Sequence, residues 1–87
     1  MVLLKYRNFE LRTVERAAGP NDIPMTKGIC VWHQGNYIGI MEPENDAIPH
    51  FVAYPTMAFK NAMEDTDNFS KVLGAATQMV QGFLSLL

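Results

Sequence analysis

Cysteine is almost missing from this chain. Cys30 is the only one among 87 residues, so no internal disulfide can staple the fold, and small domains outside the cell usually depend on such staples. A reducing, cytoplasmic setting is expected. Charge is also sparse, at 18% of residues with a net −2, which excludes a strongly basic nucleic-acid binder as a property of the whole chain. No apolar run is long enough to cross a bilayer. Residues 72–87 carry no charge, but these sixteen residues fall short of the roughly 20 a spanning helix needs and include Thr77, Gln78, Gln81 and Ser85. The opening MVLLKYRNF sets its apolar residues before Lys5 and Arg7, the reverse of a secretory signal. No membrane association is expected.

Most catalytic and cofactor machinery is missing too. The six glycines form neither GxGxxG nor GxxxxGK[ST], and there is no GxSxG elbow. One cysteine with His33 and His50 supplies no zinc spacing, and the acidic knots at residues 42–46 and 64–67 lack the EF-hand pattern. Cys30 and His33 lie at an odd offset in a stretch that reads as a strand, which puts them on opposite faces and argues against a nucleophile–base pair. No metal, cofactor or catalytic residue is expected.

What is present reads as one compact α+β domain over residues 1–87. From Leu3 to about Glu15, Phe9, Leu11 and Thr13 alternate with Glu10 and Arg12, the pattern of a strand with one wet face. Two prolines and a glycine break the chain at residues 18–24. Residues 29–42, ICVWHQGNYIGIME, read as a hairpin turning at Gly35-Asn36 in a type II′ turn. That register puts Ile29, Val31, His33, Ile38 and Ile40 on a core face and Cys30, Trp32, Tyr37 and Met41 on the other, with the Trp32 ring over Gly39. A third partner follows at residues 48–54. Pro55 or Thr56 opens a short helix to Met63, and Asp65 or Thr66 caps a long one. The long helix has apolar residues at 69, 72, 73, 76, 79, 80, 83, 84 and 87, the clearest helical period in the chain. The expected architecture is therefore a small antiparallel sheet of three to four strands, covered by a long carboxy-terminal helix, with a short helix over 56–63.

Two surfaces remain unfinished in this reading. The hairpin face with Trp32, Tyr37 and Met41 carries too much apolar area to stay wet. Three things could cover it: the segment 55–63, a second copy, or a partner protein. The back of the long helix, with Gly74, Gln78, Gln81 and Gly82, is nearly uncharged, and its small residues would allow close approach of a second copy in a homodimer.

The order hairpin, third strand, helix over residues 28–87 is similar in outline to the three-stranded arm-type DNA-binding domains at the start of phage-type integrases. Those domains set Arg and Lys on the sheet surface, whereas no basic residue occurs here between Gly28 and Phe59. No contact residue carries over.

Residues 1–28 carry +2 and residues 29–87 carry −4. The leading expectation is a non-enzymatic, intracellular protein-binding module. It would be a small regulator or inhibitor of the kind phages and mobile elements encode, acting through Trp32, Tyr37 and Met41 with the acidic loop residues Glu42, Glu44 and Asp46. The alternative is a nucleic-acid binder using the basic amino-terminal strand, where Lys5, Arg7, Arg12 and Arg16 interleave with Tyr6 and Phe9. Of the two, nucleic acid is the less favoured partner.

Overall fold

The structure, a computed structural model, describes residues 1–14, 28–44 and 47–85. Five strands form one antiparallel sheet in the order β1-β2-β3-β4-β5: β1 (Val2–Tyr6), β2 (Phe9–Thr13), β3 (Ile29–His33), β4 (Asn36–Glu44) and β5 (Ala47–Ala53). Two helices follow, α1 (Met57–Glu64) and α2 (Thr66–Ser85). The α+β class agrees with the sequence reading. The strand count exceeds it, both expected helices are present, and the five-stranded topology departs from the outline shared with arm-type domains. The break at residues 18–24 lies outside the described residues.

The extra strand comes from the amino terminus. What reads as one strand from Leu3 to Glu15 is a hairpin, with Tyr6 opposite Phe9 and Lys5 opposite Glu10. Its turn at Arg7-Asn8 holds Arg7 at φ 56, without the glycine that would announce it. The expected alternation survives within β2, where Phe9 and Leu11 are buried and Glu10 and Arg12 face outward.

The central hairpin also corrects the expected register. The turn lies at Gln34-Gly35, with φ of 50 and 80, the two positive values that a type I′ turn requires. His33 therefore faces Asn36 and Trp32 faces Tyr37, but Val31 faces Gly39 and Cys30 faces Ile40. Ile38 is the extra residue of a β-bulge. Because faces alternate with period two, the bulge reverses everything beyond it. Met41 turns into the core at 3% exposure, where Thr77 Oγ1 lies 3.9 Å from its sulfur. Ile40 turns outward and is half-buried. The ring that lies against Gly39 belongs to Phe51, not to Trp32.

Both helices lie on the same side of the sheet. Thr56 caps α1 by accepting from the Phe59 N–H, and α2 starts at Thr66 with Asp67 in its first turn, as the capping signals predict. Phe69 joins the layers. Its ring lies 5.7 Å from Phe9, 5.8 Å from Phe51 and 6.1 Å from Phe59, so β2, β5, α1 and α2 share one aromatic cluster. Phe9, Leu11, Ile29, Val31, Ile38, Val72, Ala76 and Val80 fill the rest of the core, together with Ala62 of α1. Segment 55–63 therefore does not cross to the Trp32 face, and the three-layered arrangement is excluded. The reason is Phe59 and Ala62, which gain more by completing the Phe69 cluster than a lone turn of helix could gain elsewhere.

Candidate functional site: the helix-free face of the sheet

The register defines the uncovered face row by row. One row crosses all five strands as Val2, Arg12, Cys30, Ile40 and Val52. The next runs Lys5, Glu10, Trp32 and Tyr37, with Tyr54 placed just past the end of β5 by its N–H bond to the Ile38 carbonyl. A third pairs Glu42 with His50. Val52 and Tyr54 are 41% and 54% exposed. A strand face built for water would alternate polar residues here.

Aromatic contacts cross the strands of this face in sequence. The Arg12 guanidinium carbon sits 4.1 Å from the centroid of the Trp32 ring. Trp32 meets Tyr37 edge-on at 5.9 Å, and Tyr37 meets Tyr54 at 5.6 Å. Glu10 takes the other side of Arg12, accepting from Nε at 2.8 Å and lying 2.7 Å from Nη2. Arg12 is thus held between a carboxylate and an indole. An exposed cation–π contact and a partly exposed ion pair each contribute up to about 1 kcal/mol.

Cys30 is half-buried beside these groups, on the face where the alternation put it, and burial pushes its thiol pKa up. Burial likewise raises the Tyr37 phenol, with smaller contributions from Cys30 and Glu42. A shallow hollow of about 430 Å³ opens here between Met1, Val2, Arg12, Thr13, Cys30 and Trp32. His33 lies on the opposite face, buried with its ring 4.6 Å from Phe9. Cys30 and His33 therefore have the sheet between them.

Of the residues singled out by sequence, Trp32, Tyr37 and Glu42 share this face, while Met41 does not. Glu44 ends β4 opposite Ala47, and Asp46 lies outside the described residues. Four further members, Val2, Ile40, Val52 and Tyr54, were missed. The alternation of His50, Val52 and Tyr54 carried a signal for two of them; the bulge that turns Ile40 outward was marked only by Gly39 inside the strand.

The basic amino-terminal set is split. Lys5 and Arg12 point to the helix-free face, Arg7 sits in the turn over the Tyr6 ring at 5.9 Å, and Arg16 lies outside the described residues. Tyr6 packs against the core and Phe9 is 1% exposed, so these rings are not interleaved with the cations on one surface. The helix-back residues Gly74, Gln78, Gln81 and Gly82 are all exposed on α2, and a Cβ built at Gly74 or Gly82 would meet nothing within 4 Å. Among the described residues no group of three His, Cys, Asp or Glu side chains is placed to hold a metal ion, and no helix is long and apolar enough to cross a membrane.

Compared with known proteins, the chain matches no family model, no curated protein and no solved structure.

Proposed function

We propose that this protein is a non-enzymatic, cytoplasmic protein-binding module that acts through the helix-free face of its sheet. The observation that carries the reading is the chemistry of that face. Its middle, on β3 and β4, consists of Cys30, Trp32, Tyr37 and Ile40; Arg12 and Glu10 flank that middle on β2, paired with each other, and Lys5, Glu42 and His50 lie toward the margins. An apolar, aromatic centre within a polar margin is the anatomy of a protein interface, and Trp and Tyr supply the anchors that carry most binding energy. Both helices are committed to the other face, so the chain has nothing further among its described elements to lay over this one.

The nucleic-acid alternative draws less support. Arg12 would be its main phosphate contact, but Glu10 already occupies the guanidinium fork, and Arg12 in turn lies over the Trp32 ring on which a base would stack.

A photo-reactive phenylalanine analogue placed at Tyr37, with a control at Gln78 on the exposed side of α2, tests the reading directly. The expected result is protein adducts, to this chain or to another, from position 37 and none from 78. The reading fails if position 37 captures no protein, or if the purified chain retains mixed single-stranded nucleic acid at low salt and releases it as salt rises.

A further inference from the structure

We infer that the helix-free face is covered by a second copy of this chain, packed sheet against sheet about a twofold axis that runs along β3 near Trp32. The inference rests on the protein-binding reading above and names its partner. Three properties of the face lead to it.

The first is area. Five strands about 4.8 Å apart and some five residues long at about 3.3 Å each make a patch of roughly 400 Å² in projection. Side chains standing off that patch bring its accessible surface toward the ~800 Å² per partner of a standard stable interface. Two sheets of the same chain also share one twist, which lets them pack aligned at about −30° with interdigitating side chains. A short peptide would leave most of the patch wet.

Charge is the second. On the β1–β2 half of the face Lys5 and Arg12 outnumber Glu10, and on the β4–β5 half Glu42 is the acid, opposite His50. A twofold axis along β3 carries each half over the other half of the second copy. The excess base of one copy then faces the acidic half of its mate, and like charges do not meet. The near-cancellation across the whole face gives no attraction for a strongly charged polymer.

The third is that the other routes to self-association are weaker. Edge-to-edge pairing through β5 meets Pro49, which has no N–H to donate. Pairing through β1 meets a five-residue strand with a bulge between Val2 and Leu4. The exposed side of α2 offers Ser70, Lys71, Gln78 and Gln81 around its glycines, so little apolar area would leave water there.

Sedimentation equilibrium of the full chain across a dilution series, read together with Trp32 emission, tests the inference. Trp32 is the only tryptophan and lies at the centre of the face. The expected mass is twice the 9.8 kDa of one chain, falling to one chain on dilution while the emission shifts to the red over the same range. Ile40→Lys and Val52→Lys should each weaken association about a hundredfold or more, because every substitution counts twice in a twofold interface. Val52 is already 41% exposed, so its variant should keep the wild-type circular dichroism even if Ile40→Lys unfolds. Gly74→Arg should leave the association unchanged. A chain that is monomeric at every concentration overturns the inference, as does a dimer that survives Val52→Lys or is lost in Gly74→Arg. A monomer whose cross-linker at position 37 captures a different protein overturns the second copy alone; a monomer that captures nothing also sinks the protein-binding reading.

Discussion

Gly39→Ala should be among the most damaging single-methyl changes this protein can suffer. Gly39 lies in the bulged part of β4 at φ 154, a conformation L side chains rarely adopt. A Cβ there would collide with Cζ and Cε2 of Phe51 and come within 2.6 Å of the Val52 carbonyl oxygen. The carbonyl is backbone of the adjacent strand, and the Phe51 ring is hemmed in by Phe59 at 6.2 Å and Phe69 at 5.8 Å. Neither neighbour can give way cheaply. Backbone strain of about 1–3 kcal/mol and overpacking of about 1–3 kcal/mol together come to about 2–6 kcal/mol. An 87-residue domain has on the order of 4–13 kcal/mol of stability in total. At about 4–8 °C per kcal/mol, the melting temperature followed by circular dichroism should fall by at least ~8 °C. Gly35→Ala is the matched control, since Gly35 also has a positive φ, of 80, but nothing lies within 4 Å of its Cβ position. It should cost only the backbone term, roughly 1–2 kcal/mol. If Gly39→Ala melts within ~5 °C of wild type, or no lower than Gly35→Ala, then the close approach of β5 to Gly39 is wrong, and with it the bulge that turns Met41 inward and Ile40 outward.

Gly74→Ala should instead stabilise the fold by about 1 kcal/mol in chemical denaturation, because the position is an exposed helix interior with open space around it; a loss of stability would mean that something packs on that side of α2. Alkylation of Cys30 should show a midpoint above the ordinary thiol value of 9.0, since burial raises it. The sign for stability follows: the folded state holds this proton more tightly, so the contribution is fully present below the unfolded pKa and is lost as pH rises through the folded one. A midpoint at or below 9.0 would place Cys30 in bulk water.

The helical half of the fold was legible because its signals are local. Thr56 caps the short helix, and the 3.6-residue period from Phe69 onward marks the buried stripe of the long one, with Phe69, Val72, Ala76 and Val80 inside as expected. Within the sheet, alternation in β2 and β3 also gave the correct buried faces. The misreadings came where the chain reverses without a glycine, at Arg7-Asn8, or where a glycine marks a turn or bulge but not its exact position, at Gly35 and Gly39. Arg7-Asn8 turns β1 into β2 with no glycine, so a hairpin passed for one strand. The turn at Gln34-Gly35 moves the partner of Trp32 by two residues, from Gly39 to Tyr37, which keeps Trp32 and Tyr37 on the expected face, and the bulge at Ile38 moves the register back by one, which exchanges Ile40 and Met41. The sites were therefore half readable: Trp32, Tyr37 and Glu42 could be placed, whereas Ile40 could not.

Sequence by itself determined the α+β class, where each helix starts, the lack of an obvious catalytic or metal motif, and an apolar surplus beyond what one helix could cover. All of these depend on composition and on contacts a few residues apart. Only the tertiary structure decided which residues make up that surplus, because a strand's outward face is set by pairing register, and register depends on turns and bulges settled by the whole sheet. It also decided that α1 joins α2 on one side. Phe59 reaches Phe69 and Phe51 there, and that shared aromatic core leaves Trp32, Tyr37 and Tyr54 uncovered on the other.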